Sequence, residues 1–244
     1  MKTFSIYTLG CKVNQYESQQ IREYLENLGL RQVSLRHQPD LVVVNSCCVT
    51  HIASAKSRQL IRKTRKLSSK STVVLTGCLP VVETGELYDI SDYAYVVKHR
   101  QNLTATLADI VAKGEKQSKN AKAVSFSDIR IKPENGGKIK DKYLSISSDL
   151  PQLTSFEGQT RAFLKVQDGC DCYCTYCIIP KTRPVLWSKG PDEAVREAQS
   201  LVAAGHKEIV ITGVFLWAYG KATARRRKWD KKVNDEIEKA SALD

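Results

Sequence analysis

The chain has 244 residues, of which 42% are hydrophobic and 26% are charged. This balance allows packed cores and excludes a largely disordered protein. No apolar run approaches the roughly eighteen residues of a transmembrane helix, and the first residues lack the layout of a secretory signal. We therefore expect a cytoplasmic protein with no membrane partner. The net charge of +12 favours a polyanionic partner, most often nucleic acid, although a merely basic soluble protein is the alternative.

The first 112 residues alternate strand patterns with helix patterns. Helices are predicted over 15–28 and 52–67, and Asn14 with Glu17 fits a capping box at the start of the first. Short apolar runs, typical of buried parallel strands, stand at 4–9, 41–44, 73–76 and 95–97. The alternation predicts an α/β domain with an open parallel sheet.

The chain changes character between 113 and 159, where Gly, Lys, Ser and Asn predict a linker. Residues 160–220 then predict one βαβ unit, with strands at 163–166 and 208–212 and a helix at 191–204. The inner face of that helix is predicted to carry Ala194, Val195, Ala198, Leu201 and Val202. The segment 221–244 is a charged tail, for which a solvated helix is favoured over an RNA contact.

Eight cysteines in a chain without a signal point to metal or redox chemistry rather than to a disulfide framework. None of the four histidines pairs with a cysteine cluster in the manner of a zinc finger, which indicates ligation by cysteines alone.

One cysteine cluster, CDCYCTYC, follows directly after the strand at 163–166. The thiolates of Cys170, Cys174 and Cys177 are close enough in sequence to hold three irons of a [4Fe–4S] cluster, and soft thiolates are the ligands of such clusters. The fourth iron would remain open to a small molecule. A zinc site or an unrelated cluster is the alternative, and Cys172 is interpreted as a spare thiol.

The other cysteines follow predicted strands. Cys11, Cys47 and Cys78 each stand at the carboxyl end of a parallel strand, the edge at which open α/β sheets place their sites. Together they can hold a second cluster with an open iron, although each alone is more often a buried structural residue. Cys48 is a weaker candidate because its side chain should point away from that of its neighbour.

The whole pattern resembles the radical S-adenosylmethionine (SAM) methylthiotransferase family. GCKVNQYES, NSCCVT and TGC are similar to its N-terminal domain, and TRAFLKVQDGC with CTYCIIP is similar to the start of its radical domain. TLGCKVNQYES and KEIVITGV resemble the members that add a methylthio group to C2 of N6-threonylcarbamoyladenosine at position 37 of tRNA, beside the anticodon. The resemblance implies a methylthiotransferase domain over 1–112 and the first βα units of a partial TIM-type barrel over 160–220.

The resemblance also implies the cofactors, two [4Fe–4S] clusters and SAM. The cluster on Cys170, Cys174 and Cys177 would bind and cleave SAM, and the one on Cys11, Cys47 and Cys78 would supply sulfur. Tyr176 would lie against the adenine of SAM. Thr212 and Gly213 would contact its methionine part, with plain strand termination an equal alternative. The implied partners are tRNA and a flavodoxin- or ferredoxin-type electron donor; no catalytic residue and no sulfur source is assigned.

The chain departs from the family pattern at Pro184 and Trp187 and in the FLW that follows TGV. Too few residues follow Thr160 for a complete barrel of roughly 250 residues, so we expect a fragment whose second part is poorly ordered in isolation. Two alternatives stay open. One is a methylthiotransferase for another tRNA base or a ribosomal protein, and the other is a non-catalytic remnant that binds a cluster or RNA.

Overall fold

The protein is described here by a computed structural model that covers residues 1–82, 94–98, 100–114, 150–221 and 223–224. Most of the predicted linker and of the predicted charged tail lies outside these ranges. Within them the chain forms two sheets that pack against a shared helix.

The first sheet is open and entirely parallel, as predicted. Its strands run in the order β2-β1-β3-β4-β5. The central strands carry consecutive Val and Leu because both of their faces are covered. The strand bounds are β1 Thr3–Thr8, β2 Arg31–Gln32, β3 Leu41–Ser46, β4 Thr72–Gly77 and β5 Ala94–Val96.

Helices connect these strands and cover both faces of the sheet. They are α1 Lys12–Asn27, α2 His51–Leu67, the single turn α3 Leu79–Val82, and α4 Leu103–Lys113, with short 3-10 turns at Leu35–His37 and Arg100–Asn102. Thr50 caps α2 by accepting a hydrogen bond from the Ala53 N–H at 3.1 Å.

The capping box predicted at Asn14 and Glu17 is wrong. Helix α1 begins three residues earlier than Gln15, with Cys11 as its N-cap residue and no side-chain cap. Asn14 lies inside the helix, where its amide donates to the carbonyl oxygens of Leu9 and Ser46 at 2.9 Å each. Its side chain thereby ties the end of β1 to the end of β3.

The second sheet has the order β7-β6-β8. Strands β6 and β8 are parallel and the helix between them completes the predicted βαβ unit, whereas β7 is antiparallel to β6 and was not predicted. The barrel itself stays a prediction. The elements are β6 Arg161–Asp168, the turn α5 Ile179–Thr182, β7 Trp187–Ser188, α6 Pro191–Ala203 and β8 Glu208–Gly213, followed by a 3-10 turn at Leu216–Ala218.

The inner face predicted for α6 is partly wrong. Leu201 is fully buried, but Val195 and Val202 are exposed by 56% and 59%. Glu197 is buried instead. The Tyr16 hydroxyl donates a hydrogen bond to its carboxylate, and Lys189 forms an ion pair with it. An apolar pattern cannot anticipate a buried acid whose partners are distant in sequence.

Helix α1 belongs to both parts of the molecule. Its residues Ile21 and Leu25 lie in the core beneath the first sheet, while Tyr16 lies in the core that Phe163 and Leu201 form beside the second sheet. Each fully buried Leu or Ile contributes about 1.5–3 kcal/mol. The position of the second sheet therefore depends on the same helix that covers the first.

Residues 150–157 run along α1 and pack into the cores of both sheets. Leu150 packs into the first core, and Leu153 and Phe156 pack into the second. The Thr154 N–H donates to both carboxylate oxygens of Glu23, at 3.0 and 3.2 Å. This segment falls within the range predicted as a linker, and its buried side chains hold it against the helix.

Across the ranges that the structure describes, no helix combines the length with the apolar character that crossing a membrane requires.

A glycine substitution tests how closely β3 and β4 approach at their carboxyl ends. Gly77 has φ +97°, and a Cβ there would stand 2.3 Å from the Ser46 carbonyl oxygen. Gly29 also has a positive φ, +86°, but a Cβ there would meet nothing within 4 Å. We expect G29A to lower the free energy of unfolding by about 1 kcal/mol and G77A to lower it by clearly more, about 3 kcal/mol. Urea unfolding measures both, and equal losses would contradict the close approach.

Candidate functional site

The carboxyl ends of β1, β3 and β4 bring three cysteines to one edge of the first sheet. Ser46 pairs with Gly77, and the Cys78 N–H donates to the Ser46 carbonyl at 2.9 Å, so Cys47 and Cys78 leave neighbouring strands at the same level. Cys11 follows β1, the neighbour of β3 on its other side. A Cβ built on Gly10 would lie 3.2 Å from the Cys47 Sγ, which places the Cys11 turn against Cys47.

The three thiols differ in burial and in protonation. Cys11 is exposed, whereas Cys47 and Cys78 are buried. Burial raises the pKa of Cys47, and its neighbours Cys78 and Cys11 add to that rise. A hydrogen bond from the Cys48 thiol lowers the pKa of Cys78, and the charges of Arg183 and Arg100 lower it further. Burial raises that pKa but is outweighed, and the result is a pKa of about 5. Cys78 is therefore a thiolate at neutral pH, the form that binds metals.

Cys48, the weaker candidate ligand, also lies at this edge. Its thiol is a hydrogen-bond partner of Cys78. Alternation of side chains holds only along a strand, and β3 ends at Ser46, two residues before Cys48.

The second trio lies on the loop that follows β6. Cys170 is buried, Cys174 is exposed and Cys177 is intermediate. Gly169 precedes Cys170 with φ +77°, and a Cβ there would stand 1.8 Å from the Val185 carbonyl oxygen, so only glycine fits. The loop tightens where the Cys177 N–H donates to the Cys174 carbonyl at 3.0 Å.

Cys172 lies within that loop, and its role as a spare thiol stays a prediction. It donates to the Ala224 carbonyl at 2.9 Å. Partial burial and a hydrogen bond with Cys170 raise the pKa of Cys172 to about 11, which keeps it protonated at neutral pH.

Cysteine thiolates are the ligands of iron–sulfur clusters, and cluster binding by either trio stays a prediction. Among the residues that the structure describes, no three His, Cys, Asp or Glu side chains are grouped so that they could hold one metal ion. In a [4Fe–4S] cluster each thiolate binds its own iron, so the sulfurs need not converge on one point. Soft thiolates without a histidine or carboxylate partner are the donor set for such clusters.

The residues predicted to contact SAM lie at or near the same edge of the second sheet as Cys170. Gly213 ends β8 and pairs with Gln167 of β6, and a Cβ there would stand 2.9 Å from the Gln167 Cβ. Thr212 is buried, whereas Tyr176 is 91% exposed and contributes nothing to the core. The contacts of Tyr176, Thr212 and Gly213 with SAM stay predictions.

A buried cluster of charges lies between the two cysteine edges, and the sequence did not predict it. Its acids are Glu17 of α1 and Asp168 of β6. Arg183 contacts both at 2.8 and 2.7 Å, and Lys165 contacts both at 3.2 and 3.1 Å. Arg100 donates to Glu17 at 3.3 Å and lies 3.6 Å from the Cys78 Sγ.

Arg183 links the two cysteine trios directly. Its carbonyl accepts a hydrogen bond from the Cys170 N–H at 3.1 Å. Its guanidinium donates at 3.2 Å to Asn14 Oδ1, which also accepts from the Cys11 thiol at 3.7 Å. One side chain and its own backbone thus fix the loop of the second trio relative to the first.

The charges of this cluster hold each other ionised. Burial alone would raise the pKa of Glu17, but Arg183, Arg100 and Lys165 outweigh it and hold that pKa well below its usual range. Burial would also raise the pKa of Asp168, but Arg183 and Lys165 outweigh it and lower that pKa to about 2. Arg183 in turn has its pKa raised well above the usual value, since burial is outweighed by Asp168 and Glu17.

A second polar cluster joins α1 to α6 further along the interface. The Tyr16 hydroxyl donates to Glu197 at 2.6 Å, and Lys189 forms an ion pair with the same carboxylate while lying 3.1 Å from the Tyr16 hydroxyl. Burial and the Glu197 carboxylate raise the pKa of Tyr16 well above its usual value. This second cluster therefore connects Tyr16 of α1 to the helix that covers the second sheet.

The chain is similar to known proteins over most of its length. Residues 3–98 match the family described as uncharacterized protein family UPF0004. A threonylcarbamoyladenosine tRNA methylthiotransferase MtaB from Bacillus subtilis is 33% identical over 91% of this chain, and one from Thermotoga maritima is 33% identical over 91%. A tRNA-2-methylthio-N(6)-dimethylallyladenosine synthase from Wolbachia pipientis is 30% identical over 90%. The chain is therefore similar to tRNA methylthiotransferases over about nine tenths of its length.

The chain spans about half the length of the curated relatives that it matches, 45% of the Bacillus subtilis protein and 46% of the other two. The UPF0004 match covers β1 to β5, the sheet that carries Cys11, Cys47 and Cys78. The similarity of the longer matches extends across the second sheet and its cysteine loop.

Removing the charge of Glu17 tests the buried cluster. We expect E17Q to lower the free energy of unfolding at pH 7 by about 3 kcal/mol, because it leaves three buried cations facing one acid instead of two. The pKa of Glu17 is lower in the folded chain than in the unfolded one. The advantage of the wild type over E17Q is thus complete above about pH 5 and shrinks as the pH falls through the folded pKa.

The matched control is E208Q, which removes the carboxylate of a surface pair with Arg161 whose side chains are 54% and 62% exposed. We expect a loss below about 0.5 kcal/mol that varies little with pH. Urea unfolding between pH 3 and pH 8 gives both series. Similar losses for E17Q and E208Q would refute the role of the buried cluster.

Proposed function

We propose that this chain takes part in a radical SAM methylthiotransferase reaction that adds a methylthio group to C2 of N6-threonylcarbamoyladenosine at position 37 of tRNA. The observation that carries the proposal is the pairing of two cysteine trios at adjoining sheet edges, joined through Arg183. A reaction that both removes a hydrogen atom and inserts sulfur needs two sites held at a defined separation.

The cysteines divide into two sets of ligands. Cys170, Cys174 and Cys177 would hold the cluster that binds SAM, and Cys11, Cys47 and Cys78 would hold the one that carries sulfur. When bound, these groups supply one-electron reduction of SAM and a sulfur donor, which an unactivated aromatic C–H requires. The chain's own contribution is placement: α1 and its buried charges fix one trio relative to the other, and Arg100 and Arg183 keep Cys78 ionised.

The substrate is inferred from the relatives and from charge. The two proteins at 33% identity are named for threonylcarbamoyladenosine, and the one at 30% is named for dimethylallyladenosine. A net charge of +12 suits tRNA as the partner. Tyr176, Thr212 and Gly213 would contact SAM, and a flavodoxin- or ferredoxin-type protein would supply electrons. A tRNA-modifying role implies a cytoplasmic location.

Nucleoside analysis of tRNA tests the substrate. We expect tRNA from a strain that lacks the gene to contain N6-threonylcarbamoyladenosine without its 2-methylthio derivative, as measured by mass spectrometry of digested tRNA. Restoring the gene should return the derivative. Loss of the 2-methylthio form of dimethylallyladenosine instead would assign the other substrate, and unchanged tRNA would reject tRNA methylthiolation.

Two cysteine variants test the division of ligands. In the chain reconstituted anaerobically with iron and sulfide, C174A should abolish cleavage of SAM to 5′-deoxyadenosine under strong reduction and lower the bound iron by about half. C78A should lose a similar amount of iron yet retain SAM cleavage. Iron content and released 5′-deoxyadenosine are the measurements, and C172A is the control that should change neither. Loss of all iron from C174A would show that the two sites are not separate.

A further inference from the structure

Helix α2 carries a charge distribution that no part of the cysteine chemistry uses. Among its 17 residues are six Lys or Arg and no Asp or Glu. Helices α1 and α6, by contrast, each carry more acidic than basic residues. The cations of α2 repel each other and cost stability, so they need an explanation beyond solubility.

The cations lie on the side of α2 that faces solvent. Ser57, Ile61 and Thr64 form its buried face against the first sheet. Four of the six cations of α2 are exposed and have no hydrogen bond or ion pair within the described part of the chain: Lys56, Arg62, Lys63 and Lys66. With 3.6 residues per turn, these four lie on one side of the helix and span about 15 Å along its axis. They form an unneutralised cationic track, which we call the α2 basic face.

The α2 basic face is held rigidly beside the first cysteine trio. The helix begins at His51, four residues after Cys47. The Ser57 hydroxyl accepts from the Cys47 N–H at 3.3 Å and donates to the Cys47 carbonyl at 3.1 Å, and Ser57 is fully buried. The track starts about one and a half turns from the cysteine edge and leads away from it.

A polyanion with regularly spaced charges fits such a track. The apolar side of α2 is packed on the sheet, so the helix cannot insert an apolar face into a lipid surface. A run of cations of one sign, with no acid between them, matches a phosphate backbone. We infer that the α2 basic face binds the phosphate backbone of the RNA whose base is presented at the cysteine edge. This inference rests on the proposed function and names the surface that would hold its substrate.

The test measures RNA binding in the chain without clusters, so that activity does not enter. The test variant, K56E/R62E/K63E/K66E, reverses the four charges of the α2 basic face. The control, K2E/R31E/R196E/K207E, makes the same change in net charge at four exposed positions away from α2. The probe is a fluorescein-labelled tRNA anticodon stem–loop, and anisotropy gives the affinity between 50 and 300 mM salt. Circular dichroism checks the fold, and the neutral variant K56Q/R62Q/K63Q/K66Q serves if the reversed one does not fold.

We expect the α2 variant to bind the RNA at least about tenfold more weakly than the control at 100 mM salt. Its slope of log affinity against log salt should be smaller by roughly 2–4, since up to four phosphate contacts are lost. Equal affinity and slope in the two variants would overturn the inference, as would a wild-type chain that binds no RNA. Either result leaves SAM cleavage and the C174A experiment as a separate test of the proposed function.

Discussion

The Glu17 carboxylate lies fully inside the protein, with Arg183, Arg100 and Lys165 around it and Asp168 beyond Arg183 and Lys165. A charge in such a place is tolerated only when its partners are held in contact with it, because the cost of removing each ion from water is several kcal/mol. The partners come from the 3-10 turn before α4, from β6 and from the turn after α5. Burying this one carboxylate therefore requires that both sheets be in place. The relative position of the two cysteine edges follows from that requirement.

The same reasoning explains why α1 could be located from the sequence but its role could not. Apolar spacing predicts one buried face of Ile21, Tyr24, Leu25 and Leu28; the first three pack into the core, whereas Leu28 is 39% exposed. The same helix carries Asn14, Glu17, Gln20 and Glu23, polar residues that an apolar pattern assigns to solvent, yet all four are buried. Their partners stand up to 169 residues away in the chain. Buried polar residues of this kind leave no periodic signal, since most of their hydrogen bonds and ion pairs are made with groups that only the tertiary fold brings near.

The strands and the cysteine edges were predictable for the opposite reason, that their determinants are local. A run such as Leu41–Val44 is apolar on both faces only if the strand is covered on both, and parallel strands place their carboxyl ends together by construction. That placement is what brings Cys11, Cys47 and Cys78 to one edge. The neighbours that set their chemistry were not predictable. Cys48 bonds to Cys78 because the strand has ended, and Arg183 reaches Asn14 because a loop following Cys177 folds back across α1.

Placing a charged cluster, rather than an apolar contact, between two reactive edges has a physical consequence. Apolar surfaces slide over one another at little cost, whereas a guanidinium that must satisfy Glu17, Asp168 and Asn14 at once has one acceptable position. The backbone of the same residue, Arg183, accepts the hydrogen bond of Cys170. A displacement of the second cysteine loop would then break a buried ion pair, while a displacement of Cys11 would disturb Asn14. The position of each trio is thus coupled to that of the other through Arg183 and Asn14.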